Sequence, residues 1–407
     1  MNLNAVFIKG ADVSSLPEVE EAGGRFYDQA SGSEEKAFPL RGRCPSTHTG
    51  ADEVASQPVG ADAHIGPAED LLAILRRHGV NLIRLRLWND PYDEEGHPYG
   101  AGTNDLPRTM ALARRCRALD LPWLLDFHYS DFWADPGKQY PPKAWAELDP
   151  AGMEQAVYTF TRQTMQTLKE ADLLPAIVAP GNELSNGLLW PLGRVPNWEN
   201  VARFVRAGIR AIRETAPSVQ VMLHLDNGGN NALYRYWLDS YLAHGGADFD
   251  CIGLSYYPFW HGTMESLREN MHDLADRYGK PMIVVETSTA FTLTECNDYE
   301  GISLEEKRGL AANEKTAACV PYPMSPEGQT AFLRDLCAVI RGVPHGLGRG
   351  FVWWEPAWLP VKGSGWTTPA GLAYIHEKGP CGNEWANQGL FDYDGHVLPA
   401  LLQLQEL

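Results

Sequence analysis

The chain has 407 residues, 44% of them hydrophobic, and a formal charge of −18 at pH 7. That length allows two average domains or one barrel with elaborate loops, and such a core needs neither metal nor disulfide to hold it. The acidic balance argues against nucleic acid and anionic membranes as partners, since both demand a positive face, and it suits a neutral ligand such as a sugar.

Apolar, β-branched runs recur along the chain, each followed by a longer stretch with helical spacing. Strands are expected at 6–11, 82–88, 123–128, 176–181, 220–225, 251–256, 282–286 and 350–354. Helices are expected at 68–78, 106–119, 152–171, 198–215, 232–244, 264–278, 325–340 and 398–406. Strand and helix alternating in this number spell an α/β fold, the (β/α)₈ TIM barrel. A doubly wound open sheet would carry a Gly-rich phosphate turn after its first strand, and Lys9-Gly10-Ala11-Asp12 is not one. No low-complexity linker divides the chain, so residues 1–407 read as one domain. Long excursions follow strand one (29–67, a probable loop insertion), strand seven (287–324) and strand eight (355–397). Loops after barrel strands lie on the catalytic face, so the last two are expected to wall a cleft.

Thirteen Trp residues fit flat stacking platforms, although most single Trp residues are core or rim. Seven Cys without a close-spaced pair give no CxxC zinc or redox motif. Apparently free thiols, with no signal-like start and no apolar span of about 18 residues, point to a cytoplasmic protein. A secreted protein whose signal was replaced by a starting Met is the alternative. A monomer is the expected state.

The chemistry should sit at strand ends. Strand two ends Ile83-Arg84-Leu85-Arg86-Leu87-Trp88, and its two Arg project from one side. Strand three ends in Asp126, His128 and Asp131, and strand six in Tyr256 and Tyr257. Strands four and seven close on Glu183 and Glu286, opposite each other across an eight-stranded barrel. A glycosidic bond needs one carboxylic acid to protonate the leaving oxygen and a carboxylate on the far side. Retention needs the two about 5–5.5 Å apart. Glu183 is therefore expected as acid/base and Glu286 as nucleophile. Asn182 is placed to bind a sugar 2-hydroxyl, Tyr256 or Tyr257 to hold the nucleophile, and Arg84 or Arg86 to keep it ionised. Trp354 offers a floor for a sugar ring, and His128, Asp131 and Trp133 complete the expected substrate contacts.

Each residue alone has a plainer reading. A single Glu at a strand end is often merely solvated, and a lone His is more often a satisfied core residue. Trp88, Trp133, Trp190, Trp260 and Trp358 are each as compatible with packing as with sugar binding. No GxSxG, HExxH or P-loop is present. Glu295, Asp298 and Glu300 could ligate a cation, although acidic loops are usually just solvated. Cys296, Cys319 and Cys381 could form a bridge or metal clip.

The same residues resemble glycoside hydrolase family 53, the endo-β-1,4-galactanases. The likeness rests on Lys9-Gly10-Ala11-Asp12-Val13-Ser14, Gly79-Val80-Asn81, Trp88-Asn89-Asp90-Pro91 and Asp126-Phe127-His128-Tyr129-Ser130-Asp131. It continues through Trp133-Ala134-Asp135-Pro136-Gly137-Lys138-Gln139, Gly181-Asn182-Glu183, Leu254-Ser255-Tyr256-Tyr257-Pro258 and Val284-Val285-Glu286-Thr287. Trp354-Glu355-Pro356-Ala357-Trp358 and Asn387-Gln388-Gly389-Leu390-Phe391 complete it, so it covers nearly the whole chain. The resemblance implies the same acid/base and nucleophile, an open cleft, and internal cleavage of β-1,4-linked galactan, type I arabinogalactan or galacto-oligosaccharides. Bacterial members often carry calcium between the loops after strands seven and eight. The run Thr294-Glu295-Cys296-Asn297-Asp298-Tyr299-Glu300-Gly301 does not match that site, so no metal and no required cofactor is expected, with structural calcium left open. Another retaining β-1,4-glycanase of the same barrel clan (a mannanase or cellulase) and a non-catalytic carbohydrate-binding barrel are the alternatives.

Overall fold

Asp, Asn, Ser and Thr open most of the long helices. In the computed structural model, which describes residues 6–28, 68–296 and 309–407, their side chains accept backbone N–H groups two or three residues on. Asp105 caps Leu106–Ala118, Asp149 caps Pro150–Glu170, Thr263 caps Met264–Tyr278 and Ser325 caps Pro326–Arg341. Proline in the first turn of three of these sets the entry where no N–H partner is needed.

The strands between them close into a parallel barrel in sequence order. They are β1 (Ile8–Asp12), β2 (Leu82–Leu87), β3 (Trp123–Phe127), β4 (Ile177–Pro180), β5 (Gln220–Leu225), β6 (Cys251–Ser255), β7 (Met282–Thr287) and β8 (Gly348–Trp354). Side-chain alternation divides each strand between two apolar cores. Ile8, Leu82, Leu124, Met222, Cys251, Ile283 and Val352 fill the lower barrel, while the outward set packs against the helices. Two residues further along the inward rows of β2, β3 and β5, the apolar floor gives way to Arg84, Asp126 and His224, and four residues beyond Cys251 stands Ser255, all fully buried. β8 can slip its register against β7 because Gly350 adopts φ 139°, where an added Cβ would lie 2.0 Å from the Ile8 carbonyl oxygen.

The expected (β/α)₈ TIM barrel is observed, with differences at element ends. β1 lies at Ile8–Asp12, which carries Asp12 into the barrel. The helix expected at 68–78 spans Leu71–Arg77, since Asp70 caps it. The helix expected at 398–406 is one turn, Pro399–Leu402, followed by the 3₁₀ turn Gln403–Gln405, where Lys9 Nζ takes the Leu404 carbonyl at 2.6 Å. A short helix, Leu16–Glu21, follows β1 without having been anticipated. The insertion at 29–67 lies outside the described residues, as do Asp298 and Glu300 of the cation reading.

Candidate active site

Glu183 follows β4 in a left-handed conformation, φ 49° and ψ 58°, which a non-glycine residue holds only when its surroundings impose it. Gln139 Nε2 bonds the Asn182 carbonyl at 2.8 Å and Trp237 Nε1 the Leu184 carbonyl at 2.6 Å, so the backbone on both sides is pinned. Its carboxyl is almost wholly buried. Burial first, then the charges of Glu286 and Asp226, hold its pKa well above the ordinary carboxyl range.

Glu286 reaches the same space by a different device. Ile283 and Val285 both belong to the inner core, so strict alternation would turn Glu286 outward. Between Gly253↔Ile283 and Ser255↔Glu286, however, β7 spends one more residue than β6, and it does the same against β8 between Phe351 and Trp353. That bulge re-aims Glu286 into the barrel mouth. Arg84 Nη2 meets its Oε1 at 2.7 Å, and the Tyr257 hydroxyl donates to its Oε2 at 3.1 Å.

Arg84 ties this carboxylate to three further acceptors. Nη1 donates to Asp12 Oδ2 at 2.6 Å, and Nη2 donates to Asp126 and to Asn182 Oδ1, the latter at 2.9 Å. Arg86 instead pairs with Glu355 Oε1 at 2.6 Å and Asp12 Oδ1 at 3.2 Å, and its guanidinium lies 4.5 Å from the Trp133 ring centre. Glu286 is thus held by Arg84, and Arg86 serves the neighbouring acid.

Above this charged layer opens a cleft of about 400 Å³. Glu183, Glu286, Asn182, His128, Arg86, Tyr257, Trp133 and Trp354 line it, so these expected residues come together. Arg84, Asp131 and Tyr256 do not line it. Arg84 is sealed beneath Glu286 and acts through that carboxylate. Asp131 turns away to accept the backbone N–H groups of Asp90 and Lys143, at 3.0 and 2.7 Å, which makes it a loop brace. The Tyr256 hydroxyl donates to the Gly262 carbonyl at 3.1 Å, leaving Tyr257 alone on the nucleophile.

Of the Trp residues left open, Trp88 and Trp358 are buried packing, whereas Trp260 is 42% exposed and lines the cleft. Trp190 stacks under Arg194, 4.5 Å from its ring centre, outside the lining. Trp366 and Trp385 were not singled out and also line it. Trp354 lies 6.2 Å from Trp133 and 5.3 Å from Trp385, and Trp385 lies 6.3 Å from Trp260, giving a continuous aromatic wall. Trp366 and Trp385 both come from the loop after β8. The described part of the loop after β7 buttresses it from behind, with Phe291 N–H on the Asn387 carbonyl and Asn387 Nδ2 on the carbonyls of Thr292 and Ala312, each at 2.9 Å.

Also missed were His224 and Asp226. The two-residue spacing that marks Arg84 and Arg86 recurs in His224-Leu225-Asp226 and is the signal that would have found them. Asp126, His224 and Glu286 bring ligand-type atoms within 4.8 Å of one another. Arg84 occupies that space with its own positive charge, so the donor set is matched to a guanidinium and not to a metal ion.

An eight-stranded parallel barrel whose opposed strand ends carry a proton-holding carboxyl and an arginine-bound carboxyl, in an aromatic cleft, is a glycoside hydrolase. The chain belongs to glycosyl hydrolase family 53, whose model matches residues 51–404. It is 39% identical over 407 residues to an uncharacterised protein of Niallia circulans from the bgaB 5′ region, covering 98% of this chain and 93% of that one. It is 33% identical over 421 residues to an endo-β-1,4-galactanase of Bacillus subtilis, covering 99% and 86%. The solved family 53 catalytic domain of Ignisphaera aggregans superposes with a TM-score of 0.82 at 35% identity, covering 100% of this chain and 96% of that one.

Proposed function

We propose that this protein hydrolyses β-1,4-galactosidic bonds inside galactan, type I arabinogalactan or their oligosaccharides, with retention at the anomeric carbon. The observation that carries the reaction is the pair of unlike carboxyl environments. Glu183 is desolvated and faces negative charge, while Glu286 has a guanidinium on one oxygen and a phenol on the other. The substrate rests on kinship, since relatives across the length of the chain are endo-β-1,4-galactanases.

In this reading a sugar bound over Trp354 presents its anomeric carbon to Glu286. Glu183 gives its proton to the glycosidic oxygen as the bond to that oxygen breaks, and a Glu286 oxygen forms a bond to the anomeric carbon. The leaving chain departs with the proton. Water then attacks the same carbon, Glu183 takes a proton from it, and the bond to Glu286 breaks. Two displacements restore the original configuration. The Tyr257 hydroxyl follows the changing charge on Glu286, and Arg84 balances it. These steps call on side chains and water alone.

A reducing-sugar assay on galactan, mannan and carboxymethylcellulose tests the reading. Galactan should be cut, with mid-length oligomers appearing first, and proton NMR of the first product should show the β-anomer. Glu183→Gln should lose about 10²–10⁴-fold in rate, and Glu286→Gln should lose more, because it removes the group that forms the covalent bond. Full activity in either folded variant, or preference for mannan or cellulose, sinks the assignment.

A further inference from the structure

The turn after β6 carries Tyr257, whose phenol holds Glu286, and Trp260, the exposed part of the cleft wall. The N–H groups of Trp260 and His261 close it on the Tyr257 carbonyl, at 3.2 and 2.9 Å. His261 ends the turn, is only 8% exposed and lines the cleft. Its Nδ1 lies 3.3 Å from the Tyr257 backbone nitrogen and 3.1 Å from the Ser255 carbonyl oxygen.

Only one of those two contacts is a hydrogen bond, because a ring nitrogen that accepts from an N–H has no hydrogen to give. The neighbours decide which. The Ser255 carbonyl already takes the Gly228 N–H at 2.9 Å. The buried Tyr257 N–H has no other partner among the described residues, and an orphaned buried N–H is costly. Burial pushes the pKa of the ring down to about 4, so at working pH it holds a single hydrogen. Nδ1 therefore keeps its lone pair for Tyr257, and the hydrogen sits on Nε2. That nitrogen has no partner among the described residues and, unlike Nε2 of His128, is not sealed from solvent.

Trp260 stands beside it, with ring centres 6.1 Å apart and planes at 84°. Because the planes cross, a pyranose stacked on the indole turns its rim of hydroxyls, not its apolar face, toward the imidazole. Trp260 meets Trp385 at 6.3 Å and Trp385 meets Trp354 at 5.3 Å, so this platform is separate from the floor under the reacting sugar. We propose that His261 is a substrate-binding residue with two tasks. Its Nδ1 fixes the turn that carries Tyr257 and Trp260, and its Nε2–H donates to a hydroxyl of a second sugar, stacked on Trp260 beside the reacting one. This rests on the cleft binding a galactan chain, as proposed above. A neutral imidazole brings no charge, so the contact suits the hydroxyls of a neutral glycan.

Substitution separates the two tasks, with melting temperatures as the folding control. His261→Asn puts an amide oxygen near Nδ1 and nothing at Nε2, whereas His261→Gln puts an amide NH₂ near Nε2 and gives up Nδ1. On galactan, His261→Asn should raise KM about threefold to tenfold, one neutral hydrogen bond, with kcat unchanged. His261→Gln should keep KM and lower kcat, since the turn then holds the Tyr257 phenol loosely on Glu286. Calorimetry of galactotetraose binding to the Glu183→Gln protein should show affinity falling by the same factor when His261→Asn is added. Once Trp260→Ala has removed the platform, His261→Asn should cost less than about twofold more. Unchanged KM and affinity in folded His261→Asn, unchanged kcat in folded His261→Gln, or full additivity with Trp260→Ala each overturns the proposal. Should neither His261 variant fold, nitrogen NMR of the His261 ring in Glu183→Gln decides. Its Nε2 signal should move on adding galactotetraose, and a ring blind to saturating ligand overturns the proposal. A Glu183→Gln protein that binds no galactotetraose at all would instead overturn the galactan reading.

Discussion

Trp88 and His128 share a hydrogen bond in which the indole Nε1–H donates to the imidazole Nδ1 at 3.1 Å. The backbone N–H of Ala134 donates to the same nitrogen at 3.2 Å. Neither donor can accept, so Nδ1 carries the lone pair and the proton sits on Nε2. Burial, aided by the charges of Arg86 and Arg84, pushes the pKa of His128 down to about 3. The ring is therefore neutral at working pH. His128 lines the cleft, and its buried Nε2–H lacks a protein partner among the described residues.

His128→Asn keeps an acceptor near the Nδ1 position and removes the Nε2 donor. One neutral hydrogen bond to a sugar hydroxyl corresponds to about a fivefold to tenfold loss in kcat/KM. Both limbs of the pH profile should stay in place, because His128 does not titrate in the range. A displaced acid limb in the variant would show that the imidazole changes charge during turnover.

Arg84 gives the second prediction. Its two terminal nitrogens serve Asp12, Asp126, Asn182 and Glu286, a fan of acceptors that a planar fork reaches and a lysine ammonium does not. Arg84→Lys retains the charge and abandons some of these acceptors in a dry site. We expect kcat/KM to drop by at least about a hundredfold, together with a melting temperature lower by a few degrees. Steady-state kinetics beside thermal melts measure both. A variant that melts lower yet turns over normally would mean that Glu286 needs no help from the guanidinium.

How far these features could be read from the chain depends on periodicity. Alternation within β2 places Arg84 and Arg86 inside the barrel, and the same rule places His224, Asp226 and Ser255 there. Past the last paired residue the rule stops. Asp131 and Tyr256 look like their neighbours His128 and Tyr257, yet loop turns send them to backbone partners. Glu286 is the opposite case. Its strand-end position identifies it, but its direction comes from a bulge in β7 that the run Ile283-Val284-Val285-Glu286 does not announce. Trp366 and Trp385 depend on how a long loop folds over the barrel mouth, which is tertiary packing without a local period.

Glu355 sets the last prediction, on stability. It closes β8 with φ 46°, only 2% exposed, and its Oε1 accepts from the Ser15 N–H at 3.1 Å and from Arg86 at 2.6 Å. The Ser15 hydroxyl donates to its Oε2. Burial, reinforced by the charge of Asp12 and opposed by Arg86, raises its pKa from 4.5 to about 7. The folded state thus binds this proton more tightly than the unfolded state does. The stabilisation is fully present below pH 4.5 and is lost as pH rises through about 7. A shift of that size corresponds to about 3 kcal/mol across the window. Glu355→Gln stays neutral and can keep every contact, since the carboxamide oxygen accepts from Ser15 N–H and Arg86 while its NH₂ donates to Ser15 Oγ. Glu183 and Asp226 are raised in the same direction, so some decline persists in the variant. Melts at pH 5 and pH 8 should therefore show the variant gaining on the wild-type protein as pH rises. A stability difference that is the same at both pH values would mean that Glu355 does not exchange its proton in this range.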